Sequence, residues 1–211
     1  MAGTITGLRY QKRTVERVNV YLDGQYAFAL PALDAARLKV GQHLSDVEIA
    51  ELQATDDAAK AYDKAVRYLS YRPRSTAEVR RALEEAEFAP EAIEAALVRL
   101  AGQGYLDDAA FAAYWVENRQ RFRPKGEQAL RQELRRAGVD KEIIDESLDG
   151  MDSSEAAYAA AQPRATRLAG LAAEDPAAFK RKLGEFLLRR GFTYDVVRDV
   201  VARLLREVKE A

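Results

Sequence analysis

Three sets of large apolar residues recur along this chain with the same internal spacing, and that recurrence limits the fold more than any other feature. Val79, Leu83, Phe88, Ile93 and Leu97 are separated by steps of 4, 5, 5 and 4. Leu130, Leu134, Val139, Ile144 and Leu148 repeat those steps 51 residues later. Leu183, Leu187, Phe192, Val197 and Val201 repeat them after a further 53. A step of four keeps two side chains on one helix face, and Pro or Gly inside a set marks a helix end. Pro90 follows Phe88, Gly138 precedes Val139 and Gly191 precedes Phe192. Each set therefore reads as two short helices. A leading helix precedes each pair, over about 60–71, 108–122 and 154–173. Such units bury a small wedge each and stack on their neighbours. A helical bundle with coincidental spacing is the competing reading, and three identical series weigh against it.

The first 30 residues follow a different rule. Thr4–Tyr10 and Glu16–Leu22 alternate with period two, as does the run from Gln25 to Leu30, and Asp23-Gly24 between the last two is a two-residue hairpin signal. Three short antiparallel strands are expected. Pro31 then opens a short helix to about residue 38. Ser45 and Glu48 form a capping-box pair for another helix, to about residue 53. The expected fold is mainly α: three tandem three-helix repeats in an elongated curved array, after a small hairpin-containing α/β unit. The expected divisions are 1–55, 56–106, 107–152 and 153–211.

Composition removes most catalytic equipment. The chain has no Cys and one His among 211 residues. Disulfides, thiolate catalysis, Cys-ligated zinc and HExxH sites are excluded. No GxSxG, GxxxxGK[ST] or GxGxxG is present. No cofactor or metal is expected, and no enzyme. The apolar fraction of 48% contains 39 Ala residues, which favour helix over bulk. The longest apolar run, 109–116, is far short of the roughly 20 residues that cross a membrane. The N-terminal residues lack the apolar stretch of a secretory signal, so a cytoplasmic chain is expected.

Charge balances to −1 overall but not locally. Residues 117–136 hold 7 basic against 3 acidic side chains, and 137–152 hold 1 against 6. Arg119, Arg121, Arg123 and Lys125 surround Phe122 and Pro124, and Arg131 and Arg135 follow one turn apart. Compensation of a helix dipole explains a few of these cations and a partner-binding face explains the set, and both readings stand. The acidic run either neutralises this stripe within the fold or faces away from it. In Tyr71-Arg72-Pro73-Arg74-Ser75, Ser75 and Glu78 suit a capping box, which leaves Arg72 and Arg74 as an anion site or a solvated turn. Asp107 or Asp108 suits a helix cap; their alternative use, metal-dependent nuclease chemistry, lacks a third ligand. Phe111, Trp115 and Phe122 share one helical face and are expected in the core.

The stretches RYLSYRPRSTAEVRRAL, GYLDDAAFAAYWVENRQRFRPKGEQALRQELRRAGV and IIDESL resemble the RecX family of regulators of the recombinase RecA. The resemblance is dense over 60–150 and weaker over 153–210. Its motifs fall here on Arg72, Pro73, Arg74 and Ser75, then on Tyr105, Leu106, Asp107 and Asp108. Phe111, Ala112 and Trp115 follow, and then Arg119, Pro124, Lys125 and Gly126. The resemblance implies a non-enzymatic protein that lodges on the RecA nucleoprotein filament, and a monomer is expected. It would restrain ATP hydrolysis, strand exchange and the coprotease activity of the SOS response. The expected contacts are Arg72, Arg74, Arg119, Arg121, Arg123, Lys125, Arg131 and Arg135, with single- or double-stranded DNA as a further partner. A direct DNA-binding repair protein is the alternative. Residues 1–55 resemble an extension found in some members.

Overall fold

The computed structural model describes residues 2–11 and 14–210. Strands β1 (Gly3–Gln11), β2 (Thr14–Leu22) and β3 (Gln25–Pro31) form the antiparallel set expected from the alternation, and a two-residue strand β4 (His43–Leu44) extends it, in the order β3-β2-β1-β4. Asp23 and Gly24 turn the β2–β3 hairpin with φ of 47° and 85°, the left-handed pair that matches strand twist. Ile5, Val18, Val20, Leu22, Phe28 and Leu30 share the buried side with Leu44 and Ile49. The helix after Pro31 is a single turn, α1 (Ala32–Ala35), shorter than expected.

Ser45 and Glu48 do cap a helix through reciprocal bonds, but that helix does not stop near residue 53. α2 runs unbroken over Asp46–Leu69, joining two helices that the sequence pattern separates. In the structure Asp56 is buried and lies 2.7 Å from Arg17 of β2 and 2.8 Å from Lys60, one turn along the helix. The expected division at residue 55 falls inside α2. Its first half packs Ile49 and Leu52 on the sheet, and its second half packs Ala61 and Ala65 on the first repeat.

The helices that follow are α3 (Thr76–Glu84), α4 (Pro90–Gly102), α5 (Asp108–Phe122), α6 (Glu127–Ala137) and α7 (Lys141–Leu148). The third repeat has α8 (Ser153–Arg167), α9 (Ala169–Glu174), α10 (Pro176–Arg189) and α11 (Tyr194–Glu210). Its leading helix is split at Leu168, whose backbone (φ −100°, ψ 12°) ends α8 and starts α9. The break lets Leu168, Leu171 and Ala172 turn onto the repeat's core, and Gly170 beside it favours no long helix. All fifteen residues of the three apolar series join the core of their own repeat, Phe88 only partly buried. Two compact units result. One holds the residues up to Arg74 with Glu78–Leu106, and the other holds Ser75–Ala77 with the residues from Asp107 onward. No helix among the described residues is long and apolar enough to cross a membrane.

Candidate partner-binding face of the second repeat

In the second repeat a single carboxylate collects three donors. Glu133 on α6 accepts from Trp115 Nε1 at 2.9 Å and Arg119 Nε at 2.9 Å, and it pairs with Lys125 Nζ. Arg119 also lies over the Trp115 ring, 4.4 Å from its centroid. Burial pushes the Glu133 carboxyl up, but bonds from Lys125, Arg119 and Trp115 outweigh it and hold the group below its ordinary value. This knot pins the end of α5 and the turn after it to α6. On the same helix Arg131 bridges Glu127 at 2.9 Å and Asp145 of α7. The acidic run thus answers the basic stripe inside the fold at Asp145.

The first repeat shows the same economy. Arg72 Nη2 lies 2.7 Å from Glu78 Oε1 and its Nη1 donates to the Pro73 carbonyl. Arg74 stacks 4.1 Å from the Tyr68 centroid and 3.8 Å from the same Glu78 oxygen. Both arginines thus meet a carboxylate of the chain itself. Asp107 caps α5 through the Ala110 amide at 2.9 Å, and Asp108 accepts from the Thr76 amide at 2.8 Å. Both carboxylates therefore have structural work as caps.

Of the eight expected contacts, five are thus ion-paired within the chain: Arg72, Arg74, Arg119, Lys125 and Arg131. Arg121, Arg123 and Arg135 are exposed, and no carboxylate of the described residues lies within ion-pair distance of them. Arg121 lies 5.3 Å from the Phe122 centroid, and Phe122 is 66% exposed. That corrects the core assignment of Phe122. Phe111 and Trp115 do pack together, ring centroids 5.7 Å apart, but the buried part of α5 ends at Val116. Phe122 is on the right face but six residues, well over a turn and a half, beyond the last buried residue, Val116.

Pro124 and Gly126 form a joint. The Gly126 amide donates to the Arg190 carbonyl at 2.9 Å, and Arg190 Nη1 donates to the Pro124 carbonyl at 3.1 Å. A Cβ at Gly126 would overlap the Gly191 carbonyl. Glu133 and Arg190 escaped sequence reasoning, and the sequence marks Gly191 only as a helix end. The signal for Glu133 was its isolation: one of only three acids among seven cations.

Family models match the chain in order along its length. The Regulatory protein RecX N-terminal domain matches 3–45, and the first, second and third RecX three-helix domains match 61–100, 107–148 and 152–201. The chain belongs to the RecX family. The Regulatory protein RecX of Bacillus licheniformis is 38% identical over 198 residues, covering 92% of this chain and 74% of the relative. That of Bacillus subtilis is 34% identical over 195 residues, with the same shares. A crystal structure of regulatory protein RecX superposes with a TM-score of 0.73 at 32% identity, covering 94% of this chain and 98% of that one. The RecX structure from Lactobacillus salivarius gives 0.61 at 25% identity, covering 71% and 97%. The relatives are named regulatory proteins, and the motif positions that the family supplies here are mostly caps, ion pairs and joints.

Proposed function

We propose that this chain binds the RecA nucleoprotein filament and restrains it without catalysing a reaction of its own. The observation that carries the reading is the ordered match of four RecX domains from residue 3 to residue 201. On this reading the protein works as a monomer in the cytoplasm, and its repeats, divided near residues 106 and 152, lie along the filament, with α2 joining the N-terminal strands to the first of them. Restraint of ATP hydrolysis, strand exchange and coprotease activity requires tighter binding to one filament state than to another. Arg121, Arg123 and Arg135 are the cations ready to meet the partner. Arg72, Arg74, Arg119, Lys125 and Arg131 would have to exchange a carboxylate of their own chain for one of the partner's.

The test is DNA-dependent ATP hydrolysis by the cognate RecA on single-stranded DNA, with this protein titrated in. Inhibition well below one protein per RecA is expected. Unchanged hydrolysis at saturation overturns the inhibitory reading. The three unpaired arginines also suit direct DNA binding, for which affinity for bare DNA falls steeply as salt rises.

A further inference from the structure

The outward side of α5 carries an aromatic and arginine stripe that the fold leaves uncovered. Tyr114, Glu117, Asn118, Arg121 and Phe122 line a shallow depression of about 190 Å³. Their spacing of three, four, seven and eight residues places them on one helix face. Phe122 is 66% and Tyr114 42% exposed. Beyond the helix end the charge stays positive, with Arg123 at the C-cap and Arg190 held against the Pro124 carbonyl. No carboxylate of the described residues pairs with Arg121, Arg123 or Arg190. Burial, and then the neighbouring Arg123, disfavour the charged form of Arg190, as expected where cations gather without a counter-charge.

We propose that this stripe docks an acidic segment of a protein partner, one apolar side chain seated between Tyr114 and Phe122 and carboxylates on Arg121 and Arg123. The proposal rests on the reading that the partner is the RecA filament, and it names the surface used. Exposed Tyr and Arg around a side-chain-sized depression are what interface hot spots are made of. Nucleic acid fits less well. The neighbouring Arg119, Lys125 and Arg131 are neutralised by Glu133, Glu127 and Asp145, so few cations remain to release counterions.

The experiment is co-sedimentation with filaments of the cognate RecA on single-stranded DNA, using the full chain and Arg121→Glu, Phe122→Ala and their double variant. Urea unfolding followed by Trp115 fluorescence checks each fold, and bare single-stranded DNA is run in parallel. The double variant is expected to bind filaments at least about 100-fold more weakly at an unchanged urea midpoint. Phe122→Leu, which keeps an apolar side chain, is expected to stay within about fivefold of the original and serves if Phe122→Ala unfolds. Undiminished binding by the folded double variant overturns the proposal and leaves the regulatory reading intact. No filament binding by the original chain overturns both. Binding to bare DNA that the double variant loses makes nucleic acid the occupant and overturns the proposal as stated.

Discussion

Residues 72–75 and 123–126 stand 51 residues apart at the same place in two repeats, and they meet the backbone beside them by different means. Both read Arg-Pro-cation-small. In the first, Ser75 is fully buried and its hydroxyl donates to the Ala137 carbonyl at 2.5 Å, within the second unit. In the second, Gly126 offers no side chain, and its own amide makes the bond, to the Arg190 carbonyl. The receiving turns match: Gly138 and Gly191 both have left-handed backbone, with φ of 81° and 83°. Cβ atoms there would run into Ala77 and Ala129 respectively. The corresponding place in the first repeat is Glu87, also left-handed at φ 60° but exposed. A left-handed turn is thus common to all three repeats, and what abuts it decides whether glycine is required. Ser75 and Gly126, the small residues of the two motifs, each face a backbone carbonyl, one through its hydroxyl and the other through its amide.

The comparison breaks most visibly at Gly191. Gly191→Ala places a methyl 2.6 Å from the Ala129 amide nitrogen on a left-handed backbone. A loss of about 3 kcal/mol is expected from overpacking and strain together, read as a lowered urea midpoint. Glu133→Gln comes next. It removes the charge that Arg119 and Lys125 share, and a loss of about 1–2 kcal/mol is expected. The pH dependence has a definite sign. The Glu133 carboxyl titrates lower in the folded chain, so its contribution is present above the ordinary value of 4.5 and fades as pH falls through the lower folded value. Acid unfolding curves of the original chain and Glu133→Gln should therefore draw together as pH falls below the ordinary carboxylate range. Curves that stay parallel contradict the knot. The smallest effect is expected at Glu87. Glu87→Gly relieves a left-handed non-glycine backbone at an exposed position, so the stability should rise by no more than about 1 kcal/mol.

The architecture was largely legible because its signals are local. The 4-5-5-4 series gave the core positions, Ser45 with Glu48 gave a helix start, and Asp23-Gly24 gave a hairpin. What escaped depends on partners distant in sequence. The sequence pattern divides α2 into two helices, one to about residue 53 and one from about 60, and the Arg17 that meets Asp56 between them lies 39 residues away on a strand. Phe122 matched the core face of α5 by angle, but angle does not say how far along the axis a core extends. The cations around Phe122 formed one class by composition. Only their placement separates Arg119, Lys125 and Arg131, which serve the fold, from Arg121 and Arg123, which do not.

The central claim is that matching motif positions in successive repeats are chosen by the backbone that meets them. Ser75→Gly and Gly126→Ser exchange the two solutions, and urea unfolding followed by Trp115 fluorescence compares them directly. Ser75→Gly should lose about 1–2 kcal/mol, the value of one buried hydroxyl bond. Gly126→Ser should lose about 3 kcal/mol or fail to fold, since its Cβ has no room beside the Gly191 carbonyl. Equal midpoints for the two variants, or a Gly126→Ser protein as stable as the original, would contradict the account.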